Sequence, residues 1–198
     1  MKKLLFFLGI GVFIIFAGCK NNSTEPANAK EIWPLKVGNN WVLKSHGYDS
    51  LGNVTDTINT TFTVISDTTI KGIQLYVIKE VINSNSNNIY YCNLSDGFYQ
   101  YLTYKDSLSL ILKYPVSIGE TFLSGIDTFQ IKSTNEQISV PAGNFSCCHY
   151  ENTGNSINKT IYYCTPGVGI IKIEAYAKNS QNNFSLILKT ELISYKIN

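Results

Sequence analysis

An eight-residue stretch, Pro34-Leu35-Lys36-Val37-Gly38-Asn39-Asn40-Trp41, returns later in the chain as Pro115-Val116-Ser117-Ile118-Gly119-Glu120-Thr121-Phe122. Both copies read proline, apolar, polar, β-branched, glycine, two polar residues, aromatic. A shorter stretch, Ile89-Tyr90-Tyr91-Cys92, returns in the same order as Ile161-Tyr162-Tyr163-Cys164. Between them, Phe62-Thr63-Val64-Ile65 sits where Phe129-Gln130-Ile131-Lys132 sits. Gly72 precedes Ile89 by 17 residues, and Gly143 precedes Ile161 by 18. Ordered self-similarity of this kind constrains a fold more than composition does, because each half must build a similar unit. The expected organisation is one domain over 31–198, internally duplicated at about 31–111 and 112–198.

The unit is β. From Glu31 onward Gly, Asn, Asp or Pro punctuates the chain about every 8–12 residues, and the segments between are rich in Ile, Val, Thr, Tyr and Phe. Thr61-Phe62-Thr63-Val64 and Ile171-Lys172-Ile173-Glu174-Ala175 alternate polar and apolar, as strands with one buried face do. Thirteen segments qualify, among them Asn59–Asp67, Gly97–Tyr104, and Thr128–Thr134 and Glu136–Val140 as separate strands. Gly52-Asn53 and Asp96-Gly97 favour tight hairpins, because positive φ costs little there. Asn83–Asn88 and Asn179–Asn183 read as polar loop tips. The expected fold is all-β: an antiparallel meander of about a dozen strands in two similar halves, forming a barrel-like or strongly curved sheet that hides its edges.

The first residues are a targeting segment. Lys2-Lys3 is a basic start, Leu4 to Phe16 an apolar run, and Ala17-Gly18-Cys19 a small-residue site ending in cysteine. The run is shorter than the roughly 20 residues of a spanning helix. Ala17-Gly18-Cys19 resembles a bacterial lipobox, with Phe16 standing where leucine is usual. That resemblance implies a signal peptide over 1–18, cleavage before Cys19, and acylation of Cys19 as a membrane anchor. Lys20 to Lys30 is polar and lacks apolar periodicity, so 19–30 reads as a flexible tether. It carries neither the acidic cluster that resembles a surface-export signal of some bacterial lipoproteins nor an Asp after Cys19 that would resemble an inner-membrane retention signal. The lipoprotein resemblance then implies the outer membrane facing the periplasm.

Setting Lys2 and Lys3 aside leaves balanced charge, and the chain has no arginine. Clustered positive charge, the basis of nucleic-acid binding, is missing. Pro34 to Trp41, Val140-Pro141-Ala142-Gly143-Asn144-Phe145 and Pro166-Gly167-Val168-Gly169-Ile170-Ile171-Lys172 resemble motifs of uncharacterised bacterial envelope lipoproteins, often from Bacteroidota-like organisms. The resemblance spans nearly the whole mature chain and implies a β-rich lipoprotein with no assigned activity. Cys164-Thr165 before Pro166 departs from the usual pattern.

No catalytic residue stands out. His46 and His149 are the only histidines, no Gly-x-Ser-x-Gly occurs, and the aspartates fall mostly in turns. Pairing back from the Asn152–Asn158 loop sets Cys164 opposite Cys147 or Cys148, so these three are the disulfide candidates, with Cys92 left over. A metal site from Cys147, Cys148, His149 and Cys164 fails because successive strand residues point to opposite faces. Neither metal nor cofactor is expected. The aromatic excess, 13 Tyr, 10 Phe and 2 Trp, is the functional lead. Tyr90, Tyr91, Phe98, Tyr99, Tyr162 and Tyr163 are the candidate contacts for an apolar, glycan or protein ligand. The expected role is a non-enzymatic binding or interaction module; the alternative, a hydrolase of envelope or polysaccharide material, rests on location alone.

Overall fold

The computed structural model describes residues 31–152, 157–179 and 182–198. The signal segment 1–18, Cys19 and the tether 19–30 lie outside these residues. β-branched and aromatic residues alternating with polar ones produce twelve strands among the described residues. The first six are β1 (Asn40–Tyr48), β2 (Val54–Ile70), β3 (Ile73–Ile82), β4 (Asn85–Leu94), β5 (Gly97–Leu102) and β6 (Ser107–Lys113). The second six are β7 (Thr121–Ser124), β8 (Asp127–Val140), β9 (Gly143–Asn152), β10 (Asn158–Thr165), β11 (Gly169–Lys178) and β12 (Phe184–Lys196).

All twelve form one antiparallel sheet in the order β6-β5-β4-β3-β2-β1-β12-β11-β10-β9-β8-β7. Each half is thus a six-stranded meander, and β1 joins β12 along the middle, Trp41 opposite Tyr195 and Ser45 opposite Thr190. The sheet curves until its edges approach, so the fold is all-β and nearly closed like a barrel. Among the described residues no backbone ladder joins β6 to β7. The seam is instead bridged by side chains. The Tyr150 hydroxyl donates to the Lys113 carbonyl at 3.0 Å, and Lys113 pairs with Glu120 at 3.1 Å.

Curvature lets one face of the sheet become a common core. Trp41, Val64, Ile78 and Phe98 from the first half meet Ile131, Phe145, Tyr150 and Ile171 from the second, all buried. Burial of this kind contributes about 1.5–3 kcal/mol per large side chain. The segment before β1 enters the same core. Trp33 meets Trp41 edge-on with ring centres 5.3 Å apart, and it also packs on Phe62 and Phe98.

Three expectations shift. Thr128–Thr134 and Glu136–Val140 are one strand, β8, because two bulges absorb the extra residues without ending the ladder with β9. Asn83–Asn88 is not a loop: Asn83 takes a positive φ of 54°, making the turn so tight that β4 begins at Asn85. The strand expected over Gly97–Tyr104 ends at Leu102, and Tyr104 is exposed.

The two copies of the opening stretch make the same hydrogen bonds. Gly38 N–H donates to the Val64 carbonyl at 2.8 Å, and Val64 N–H returns to Asn39 at 2.9 Å. Gly119 N–H donates to Ile131 at 2.8 Å, and Ile131 N–H returns to Glu120 at 2.9 Å. Both Gly38 and Gly119 have positive φ, 91° and 85°, at the third position of a four-residue turn. The shorter repeat behaves differently. Tyr91 and Tyr162 share the concave face, whereas Tyr90 and Tyr163 point away from it. The one extra residue between Gly143 and Ile161 explains this, since a one-residue slip exchanges the faces of a strand.

Gly38→Ala and Gly119→Ala are each expected to cost about 1–2 kcal/mol, because a Cβ is disfavoured in left-handed backbone. Nothing lies within 4 Å of a Cβ at Gly119, so backbone conformation alone sets its cost. Urea unfolding measures both; an unchanged midpoint for either would contradict the turn's role.

Candidate functional site, an aromatic cavity inside the curved sheet

The core does not fill the interior everywhere. A cavity of about 300 Å³ remains on the concave face, lined from both halves of the sheet. Its aromatic wall is Trp33, Phe62, Tyr91, Phe98 and Tyr162. Leu43, Ile111, Ile170 and Ile173 complete the apolar surface. Polar groups are few: Glu80 and the hydroxyls of Ser45, Thr60 and Thr190. Ser45 and Thr190, cross-strand partners on β1 and β12, are hydrogen-bonded to one another at 2.8 Å.

Strand parity positions these groups. Tyr76, Ile78 and Glu80 follow one another on the same face of β3, two turned into the core and the third into the cavity. Phe62 lies opposite Glu80 in the β2–β3 ladder. In the second half, Phe129 lies opposite Asn152 in the corresponding β8–β9 ladder. The two inward polar residues therefore hold matching places, but only Glu80 carries charge. Among the described residues its carboxylate has no hydrogen bond and no ion pair.

Tyr91 stacks on Phe98 with ring centres 4.8 Å apart. Burial pushes its phenol up to about 12, helped by the nearby Glu80 carboxylate and by Tyr162. Tyr162 is likewise raised, first by burial and then by Cys164 and Asp127. Both phenols are neutral at physiological pH. The cavity thus offers aromatic faces, two neutral hydroxyl donors and one negative charge.

Of the six aromatic residues expected to contact a ligand, Tyr91, Phe98 and Tyr162 meet here. The other three do not. Tyr90 lines a shallow groove of about 150 Å³ with Tyr101 and Tyr104. The Tyr99 hydroxyl donates to Asp96 at 2.9 Å. Tyr163 packs against His149 at 4.9 Å on the opposite face, where Lys172 lies 5.4 Å from its ring centre. His149 there meets Glu136 at 2.7 Å through Nδ1. Sequence reading missed Trp33, Phe62 and Glu80. Parity was the available signal: Glu80 is an acid standing between Ile78 and Ile82 in the register that Tyr76 and Ile78 turn inward.

Cys92, Cys147, Cys148 and Cys164 are buried thiols. Cys164 is the ladder partner of Cys148, one of the two positions expected. Burial, and the neighbouring Cys147 and Cys148, push the Cys164 thiol well up. The Cys147 thiol instead meets the Thr165 hydroxyl at 3.3 Å. Among the described residues no group of His, Cys, Asp and Glu has metal-binding geometry.

Alkaline titration tests the buried phenols. Tyr91 and Tyr176 are both pushed to about 12, Tyr176 by burial and by its bond to Glu174. Unfolded tyrosines ionise near about 10. Above that pH the unfolded chain releases protons that the folded chain retains. Stability is therefore full below about pH 10 and falls as pH rises towards about 12. Phenolate absorbance should lag in folded relative to urea-unfolded protein; identical titration curves would contradict the burial.

No protein-family model and no curated protein sequence matches the chain. Two solved structures share its fold. One is described as "a putative lipoprotein from Parabacteroides distasonis ATCC 8503" and the other as "a putative exported protein with YmcC-like fold" from Bacteroides fragilis NCTC 9343. Each is 16% identical, covers 86% of this chain and all of its own, and superposes with a TM-score of 0.56. At that identity the likeness concerns the fold.

Proposed function

We propose that this is a lipid-anchored envelope protein that binds a small, largely apolar ligand inside its curved sheet and catalyses no reaction. The cavity carries the reading. At about 300 Å³ it lies at the small end of the range of about 300–1,000 Å³ for small-molecule sites, and it has their make-up of apolar walls and few polar groups. The lipobox-like Ala17-Gly18-Cys19 supports anchoring through Cys19, with the polar tether 19–30 carrying the domain away from the membrane. The descriptions of the two similar folds as lipoprotein and exported protein agree with an envelope location. Outer-membrane attachment facing the periplasm is part of the same proposal.

A hydrolase finds less support. Glycoside cleavage uses two carboxyl groups about 5–10 Å apart, and among the described residues Glu80 is the one carboxylate lining the cavity. His149 sits with Glu136 on the opposite face.

The neutral fluorophore N-phenylnaphthylamine is the probe. It should bind saturably at one site in the signal-free Cys19→Ser protein. Ile173→Trp and Thr60→Phe, which fill the cavity from two strands, should each abolish that binding. Absence of saturable binding, or unchanged binding in both filled variants, would contradict the proposal.

An oxidising envelope also bears on the cysteines. Ladder pairing favours a Cys148–Cys164 bridge in the exported protein. Nonreducing peptide mapping should link these two; Cys164 recovered unlinked would refute it.

A further inference from the structure

We infer that the cavity is a site for an organic cation, an ammonium group carried on a small apolar body. The inference rests on the cavity reading above and gives its ligand a charge.

Glu80 is the reason. Its place on β3 continues the inward register of Tyr76 and Ile78, so its carboxylate faces the concave side rather than solvent-facing residues of the strand. Among the described residues no lysine lines the cavity and no cation pairs with the carboxylate. Glu80 is half-buried beside apolar and aromatic groups, where a partner of opposite charge would be stabilising. Elsewhere this chain supplies such partners itself. Glu120 has Lys113, Glu174 has Lys172 and Glu191 has Lys189. The matching inward place in the other half, opposite Phe129, is the neutral Asn152. Glu80 is thus an acid where the duplicate position does without one, and its counter-charge is left for a ligand.

The walls favour the same sign. Phe62, Tyr91 and Tyr162 line the same cavity as the carboxylate, and aromatic ring faces attract cations. The Tyr91 phenol stays neutral, so it offers the ligand a ring face and a hydroxyl and leaves the charge to Glu80. An anionic ligand such as a fatty acid would meet Glu80 with like charge and find no lysine. A neutral sugar would find few hydrogen-bonding groups, two of them, Ser45 and Thr190, already bonded to each other. A compact ammonium with an aromatic or branched apolar body matches volume, wall chemistry and charge together.

Competition against bound N-phenylnaphthylamine tests this. The competitors are benzyltrimethylammonium, benzyl alcohol and phenylacetate, which are cation, neutral and anion of similar size. In the native sequence the cation should compete about tenfold better than the alcohol, with the anion weakest. Glu80→Gln keeps the shape of the side chain and should abolish most of that preference, bringing cation and alcohol to similar competition against the fluorophore. Equal competition by cation and alcohol would overturn the charge assignment, as would a cation affinity unchanged in Glu80→Gln; in either case fluorophore binding would leave the cavity itself standing. Failure of the fluorophore and all three competitors to bind would remove the cavity reading and this inference with it.

Discussion

The Trp41 indole N–H donates to the Val168 carbonyl at 2.7 Å, with both residues buried. That bond ties the first strand to the β10–β11 turn across the interior, and the curvature of the sheet depends on contacts of this kind. An antiparallel sheet of twelve strands has one apolar face and two open edges. Bending hides the face; it also brings the edges together. Around Trp41 the bend is held at several points. Gly167 N–H donates to the Glu31 carbonyl at 2.8 Å, and the Gly169 backbone passes so close to Trp33 that a Cβ would sit 3.0 Å from the ring. The Pro34–Trp41 and Pro166–Gly169 stretches, far apart in sequence, thus meet in one knot of indole and backbone. Both stretches have a structural role here before any functional one.

Much of this was legible in the residues. Alternation and turn chemistry gave the β class, the meander and nearly all strand positions. The repeated opening stretch marked two turns with the same hydrogen bonds to Val64 and Ile131. The register around Cys164 followed from one loop and simple pairing. The failures have local causes. Bulges in β8 hid a single strand behind a polar interruption at Asn135. Composition could count the aromatic residues but not assign their faces. Tyr90 and Tyr91 are identical to Tyr162 and Tyr163 as letters, yet one extra residue upstream exchanges which of each pair turns inward. Trp33 was missed because it lies outside any strand, and its importance comes from long-range contacts with Phe62 and Phe98.

The two halves share a plan and use it differently. In the second, Phe122, Phe129 and Tyr150 stack and meet edge-on, closing the interior near β7. In the first, Trp33, Phe62 and Phe98 form the wall of a space that stays open. Trp33 precedes Pro34 as Tyr114 precedes Pro115, so the larger ring stands on the side of the cavity. The seam between β6 and β7 offers a different surface, with Leu123 and Ile126 exposed beside it. Interior and seam differ in chemistry: only the interior combines aromatic walls with a carboxylate.

Methyl-labelled NMR of the signal-free protein, titrated with benzyltrimethylammonium, separates these surfaces most directly. Saturable shifts at Leu43, Ile111, Ile170 and Ile173, with Leu123 and Ile126 unmoved, would locate binding inside the curved sheet. Shifts confined to Leu123 and Ile126, or no saturable shift at the four interior methyl groups, would contradict a ligand site in the interior.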